Sequence, residues 1–122
     1  MRSPAKSRNP DYQLETERMN EKVEVFIDGE KIAETQNAIK LFEEGHDPVI
    51  YIPKNDIKAV DFVKYDDYQC PYKGSAKLYT IKHGSHEHEN AAWTYEEPYD
   101  EVLELKGRVA FYPDKVQEIR VT

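Results

Sequence analysis

The chain has one cysteine and one tryptophan among its 122 residues. Cys70 alone closes no intramolecular disulfide and leaves no pair of thiolates for a cysteine-built zinc site. One free thiol fits a reducing compartment, so a cytoplasmic location is expected. No apolar run approaches the roughly 20 residues that span a bilayer as a helix, so no membrane partner is expected. The first eight residues carry positive charge with no apolar stretch behind them, which is not a signal-peptide pattern. Positive charge is also the minority sign, with 17 basic against 24 acidic side chains and a net charge of −7. Phosphate backbones repel such a surface, so nucleic acid is not an expected partner.

What remains is enough for one core. Apolar residues make up 39% of the chain, and a chain of this size buries roughly two-thirds of its unfolded surface. Neither metal, cofactor nor disulfide is needed for folding. Residues 1–21 are polar, with two prolines and no period, and read as a disordered polar arm. Residues 22–122 read as a single domain.

Val23, Val25 and Ile27 alternate with Glu24 and Phe26, which is strand period. Asp28-Gly29 follows and Lys31 to Thr35 resumes, the pattern of a hairpin whose turn residues tolerate positive φ. Short β-branched or aromatic runs recur at 38–42, 49–52, 59–65, 76–83, 87–95, 108–112 and 116–121. Turn residues separate them, and short helical turns are expected at 53–56 and 100–105. No helical period lasts beyond about two turns. This spacing predicts a mostly β protein.

Three motifs then stand out in order: Cys70-Pro71-Tyr72-Lys73-Gly74-Ser75-Ala76, Glu89 to Pro98, and Val109-Ala110-Phe111-Tyr112-Pro113-Asp114. Together with Phe26-Ile27-Asp28-Gly29-Glu30 and Tyr51-Ile52-Pro53-Lys54, they resemble the family known as domain of unknown function 427, over residues 22–121. The resemblance implies an Mss4-like, or β-tent, architecture: two antiparallel sheets meeting at an angle. Many proteins on that scaffold hold zinc on cysteines; with one cysteine, zinc is not carried over. The family also carries a nucleotidyltransferase label. Such sites pair carboxylates with a Gly-Ser loop that opens a helix. Asp66-Asp67 is the only adjacent aspartate pair here, and neighbouring strand residues point to opposite faces.

Cys70 and Lys73 flank a proline turn. An ammonium near a thiol favours the thiolate, so Cys70 is a candidate nucleophile; a buried, inert cysteine is the alternative. On the last long strand, alternation puts Glu89, Ala91, Trp93 and Tyr95 on one face. A small residue between a carboxylate and an indole leaves a gap, the composition of a small-molecule site. The alternative is that Trp93 is a core anchor. Glu89, if buried there, is a candidate acid or base. Nine tyrosines against four phenylalanines favour a polar aromatic cavity, lined by Tyr72, Tyr79, Trp93, Tyr95 and Tyr112 with Lys73 and Glu89 as polar anchors. A flat heterocycle suits such walls. The rival readings are an enzyme using Cys70 or Glu89 and a protein-interaction module; oligomeric state is left open. His83, His86 and His88 gather at the Gly84-Ser85 turn, where exposure is ordinary, and no metal site is assigned to them. If the hairpin turns between Gly84 and Ser85, Ala76 faces Trp93, Gly74 faces Tyr95 and Thr80 faces Glu89.

Overall fold

The computed structural model describes residues Met1–Thr122. Ten strands form two antiparallel sheets, and the helices are one five-residue turn of α-helix, Pro4–Arg8 (α1), and two 3₁₀ turns, Lys54–Asp56 and Asp100–Leu105. The small sheet runs β10 (Glu118–Val121), β2 (Val23–Ile27), β3 (Glu30–Thr35). The β2–β3 turn is built as the sequence implies: Asp28 at φ 49° and Gly29 at φ 82° both lie in the left-handed region, the backbone that matches strand twist in a two-residue hairpin.

The large sheet runs β1 (Leu14–Arg18), β4 (Ile39–Glu43), β5 (Val49–Pro53), β9 (Arg108–Phe111), β8 (His86–Pro98), β7 (Gly74–His83), β6 (Asp61–Cys70). Its two faces bury different clusters. Val23, Val25, Ile27 and Ile32 of the small sheet pack against Ile52, Ile81, Ala92, Val109 and Phe111. Their chain neighbours Tyr51 and Ala110 point the other way, as strand alternation requires. There they join Leu14, Leu41, Ala76, Tyr95 and the Asp100–Leu105 turn in a second cluster.

The expected polar arm is a correction. Leu14–Arg18 is strand β1, paired antiparallel with β4 from Leu14↔Glu43 to Arg18↔Ile39. Ahead of it Ser3 is fully buried, donating its hydroxyl to the Pro71 carbonyl at 2.8 Å while its amide donates to Glu101 at 2.9 Å. The Met1 ammonium reaches Asp100 at 2.9 Å. The arm lacks a hydrophobic period because its partners are backbone groups and carboxylates, which periodicity does not register.

The register along β7–β8 is the second correction. His83↔His86, Lys82↔Glu87 and Ile81↔His88 pair as expected for a Gly84-Ser85 turn. Beyond them Tyr79 pairs with Ala92, so Thr80 faces Glu89, Asn90 and Ala91 together. Asn90 sits in the left-handed region at φ 50°, a conformation asparagine tolerates and a strand cannot continue through. The bulge shifts the rest of the hairpin: Leu78 faces Trp93, Ala76 faces Tyr95, and Gly74 faces Pro98.

Candidate functional site

Two rows of the large sheet share one design. In one, Ala110 lies between Tyr51 on β5 and Trp93 on β8. In the other, Ala76 lies between Tyr68 on β6 and Tyr95 on β8. A methyl flanked by two rings leaves a hollow over itself, because directly paired residues project from the same face. Across the Ala110 gap the Trp93 indole N–H donates to the Tyr51 hydroxyl at 3.0 Å, with the rings edge-on at 6.2 Å. Tyr112 tilts against the other side of Trp93 at 4.4 Å. The result is an open cleft of about 350 Å³, walled by Tyr51, Tyr68, Trp93, Tyr95 and Tyr112.

Its polar end is an ion pair. Lys73, in the three-residue loop between β6 and β7, meets Glu43 at the end of β4. Their side chains are only 14% and 7% exposed. Tyr12 donates to the second Glu43 oxygen at 2.7 Å. Burial works against the ionised Glu43, but the hydrogen bonds from Lys73 and Tyr12 outweigh it and hold the carboxyl below its ordinary range. The Lys73 ammonium also sits 6.0 Å from the centre of the Tyr95 ring. Burial pushes the Tyr51 and Tyr95 phenols far up, and the Tyr112 phenol up as well. All three keep their protons at neutral pH and remain able to donate.

Of the residues expected from sequence, Lys73, Trp93, Tyr95 and Tyr112 line the cleft; the others lie elsewhere. Glu89 is exposed, carried off the shared face by the Asn90 bulge. Ala91 is buried in the cluster between the sheets, not beside Trp93. Tyr79 pairs with Ala92 on the inter-sheet face and packs edge-on against Phe62 at 5.8 Å. Tyr72 stacks on Tyr12 at 3.7 Å, behind the ion pair. Cys70 is buried at 5% exposure in the second cluster and does not line the cleft. So Cys70, Lys73, Glu89 and Trp93 do not converge on one cavity. Sequence reasoning missed Tyr51, Tyr68, Glu43, His46 and Asp47, which also line it. The signal for Tyr51 and Tyr68 lies in the alanines that face them, and it is readable only once the register is known.

The histidines form a separate constellation where the Asp28-Gly29 turn meets the β7–β8 hairpin. His83 bonds Asp28 through Nδ1 at 2.9 Å and Glu30 through Nε2 at 2.6 Å. His88 Nε2 reaches the same Asp28 oxygen at 2.9 Å. The bonds to Asp28 and then Glu30 raise the His83 pKa; the two histidines lower that of Asp28. Asp66 and Asp67 are exposed on β6, with no loop opening a helix beside them.

These features define a two-sheet β protein with an aromatic cleft on the outer face of its large sheet. A family model described as domain of unknown function (DUF427) matches residues 15–122, and the chain belongs to that family. A comparison with curated proteins finds no match. No helix is long and apolar enough to cross a membrane.

Proposed function

We propose that the chain binds a small, flat, uncharged molecule bearing a carbonyl oxygen, seated against Trp93. The observation that carries this reading is the imbalance of hydrogen-bonding capacity around the cleft. Both Glu43 oxygens are taken, one by Lys73 and one by Tyr12. Lys73 has three N–H groups and gives one to Glu43, leaving two. Tyr51 accepts from Trp93 and keeps its own O–H to give. The polar end therefore offers donors and calls for an acceptor.

Charge decides which acceptor. Glu43 cancels Lys73, and Asp47 at the cleft adds a negative charge. An anion would meet that carboxylate with no uncompensated cation to repay its desolvation, whereas a neutral carbonyl carries no such penalty. Aromatic walls favour a planar body. An enzyme acting through Cys70 has weaker support, because the thiol is buried and none of the chain's hydrogen bonds joins it to a histidine. The two-sheet arrangement also suits the Mss4-like scaffold, and a single free thiol keeps the cytoplasm as the proposed setting.

Benzamide, benzoate and benzamidine have nearly the same shape and differ in charge. Titrating each while following the fluorescence of Trp93, the only indole, tests the reading. Benzamide should saturate at the lowest concentration, and Ala76→Leu, which fills the hollow, should abolish its binding. Absence of saturation by any of the three overturns the proposal.

A further inference from the structure

We infer that Tyr12 is a specificity-determining residue of the cleft: by occupying the second oxygen of Glu43, its hydroxyl makes the site reject cations and donor-rich ligands. The inference rests on reading the cleft as a binding site. Tyr12 lies ahead of the residues that the family model matches.

The geometry gives Tyr12 two separable attachments. Its ring stacks on Tyr72 at 3.7 Å with the planes 10° apart. Its hydroxyl donates to Glu43 Oε2 at 2.7 Å, and Lys73 holds Oε1. The neighbouring backbone is fixed independently, since the Gln13 amide donates to Glu44 Oε1 at 3.2 Å and the Gln13 carbonyl accepts from the Glu44 amide at 2.9 Å. The ring position is thus set by stacking and by the chain, and the hydroxyl is free to serve the carboxylate.

A carboxylate can accept about four hydrogen bonds, and Glu43 is among the most enclosed charges of the cleft. With Tyr12 present, each of its oxygens has a charge-assisted or phenolic donor. With the hydroxyl removed, Oε2 becomes an underused acceptor on a wall of the cleft. A buried acceptor without a partner is costly, and a ligand that supplies an N–H or a positive charge relieves that cost. The same cleft would then turn from carbonyl acceptors toward amidinium-like donors. Tyr12 positions Glu43 and need not touch the ligand.

Tyr12→Phe keeps the stack and removes the hydroxyl. Two readouts on the full-length chain decide the matter. In the first, benzamide and benzamidine are titrated against Trp93 fluorescence; the variant should shift the affinity ratio roughly tenfold toward benzamidine, the scale of one hydrogen bond to a charged group. A purely structural role would weaken both probes alike. In the second, the Glu43 carboxyl is titrated by ¹³C NMR; its midpoint should move up in the variant, because a donor that favoured the ionised form is gone. An unmoved midpoint overturns the hold of Tyr12 on Glu43, whatever the probes do. A moved midpoint with an unmoved ratio overturns the specificity role. If the unaltered protein binds neither probe, the reading of the cleft fails first and the specificity role falls with it, while the midpoint still decides whether Tyr12 governs Glu43.

Discussion

The cleft and the histidine constellation use the same device, one carboxylate shared by two partners, in different surroundings. Glu43 is gripped by Lys73 and Tyr12 behind the large sheet, with its side chain almost sealed from solvent. Asp28 is gripped by His83 and His88 at the hairpin tips where the two sheets meet, and its side chain is 22% exposed. Near water, a shared carboxylate adds little to stability and is screened by salt; enclosed, its loss leaves an unpaired charge. The partners differ too. A lysine and a phenol keep their protons at neutral pH, whereas histidine changes charge near it. The same motif therefore makes a fixed wall in one place and a pH-sensitive fastening in the other.

The sharpest way to break this comparison is to remove Lys73. Lys73→Met strands Glu43 without its cation and should cost about 3 kcal/mol in urea unfolding. The double variant Lys73→Met/Glu43→Gln should regain most of the loss. A cost below about 1 kcal/mol would make the enclosed pair no stronger than a surface one. Next comes Trp93→Ala. A fully enclosed indole costs roughly 3–5 kcal/mol when truncated; Trp93 is half-buried on the cleft wall, so about 2 kcal/mol is expected by the same unfolding measurement. A cost at the top of the enclosed range would recast Trp93 as a core anchor.

The smallest effect belongs to the histidines and shows in pH dependence. His83 has a raised pKa in the fold, so its contribution is full below the ordinary histidine value of about 6.5 and is lost as pH rises through the raised one. Asp28 has a lowered pKa, so its contribution is present above the ordinary aspartate value and is lost as pH falls through the lowered one. Melting temperature should therefore decline slightly as pH rises above about 6.5, and His83→Gln should flatten that decline. An equal decline in the variant would show that the constellation does not fasten the sheets.

How much of this was legible in the sequence depended on the range of the interaction. Asp28-Gly29 and Gly84-Ser85 announce their hairpins because turn chemistry is local. The shared face of Trp93 and Tyr95 follows from alternation alone. The placement of Glu89 failed because alternation was carried through Asn90, although asparagine inside a strand is itself a cue for a left-handed residue. Strand β1 was missed because Leu14-Glu15-Thr16-Glu17-Arg18 contains one apolar side chain, and its place comes from pairing with β4. Tyr51, Tyr68 and Glu43 reach the cleft from strands distant in the chain. Their meeting is a matter of long-range register, which no local period encodes.

The anchoring of the first residues has a consequence for the order in which the molecule assembles. Met1 binds Asp100, Ser3 binds Pro71 and Glu101, and Tyr12 binds Glu43. The partners of Met1 and Ser3 lie 68 to 99 positions along the chain. During synthesis the amino end emerges first yet waits for some of the last segments before it can dock. Closing such long loops is slow compared with forming the two local hairpins. Tyr12 thus arrives late, and for an interval the growing chain carries a cleft whose glutamate has not yet been capped.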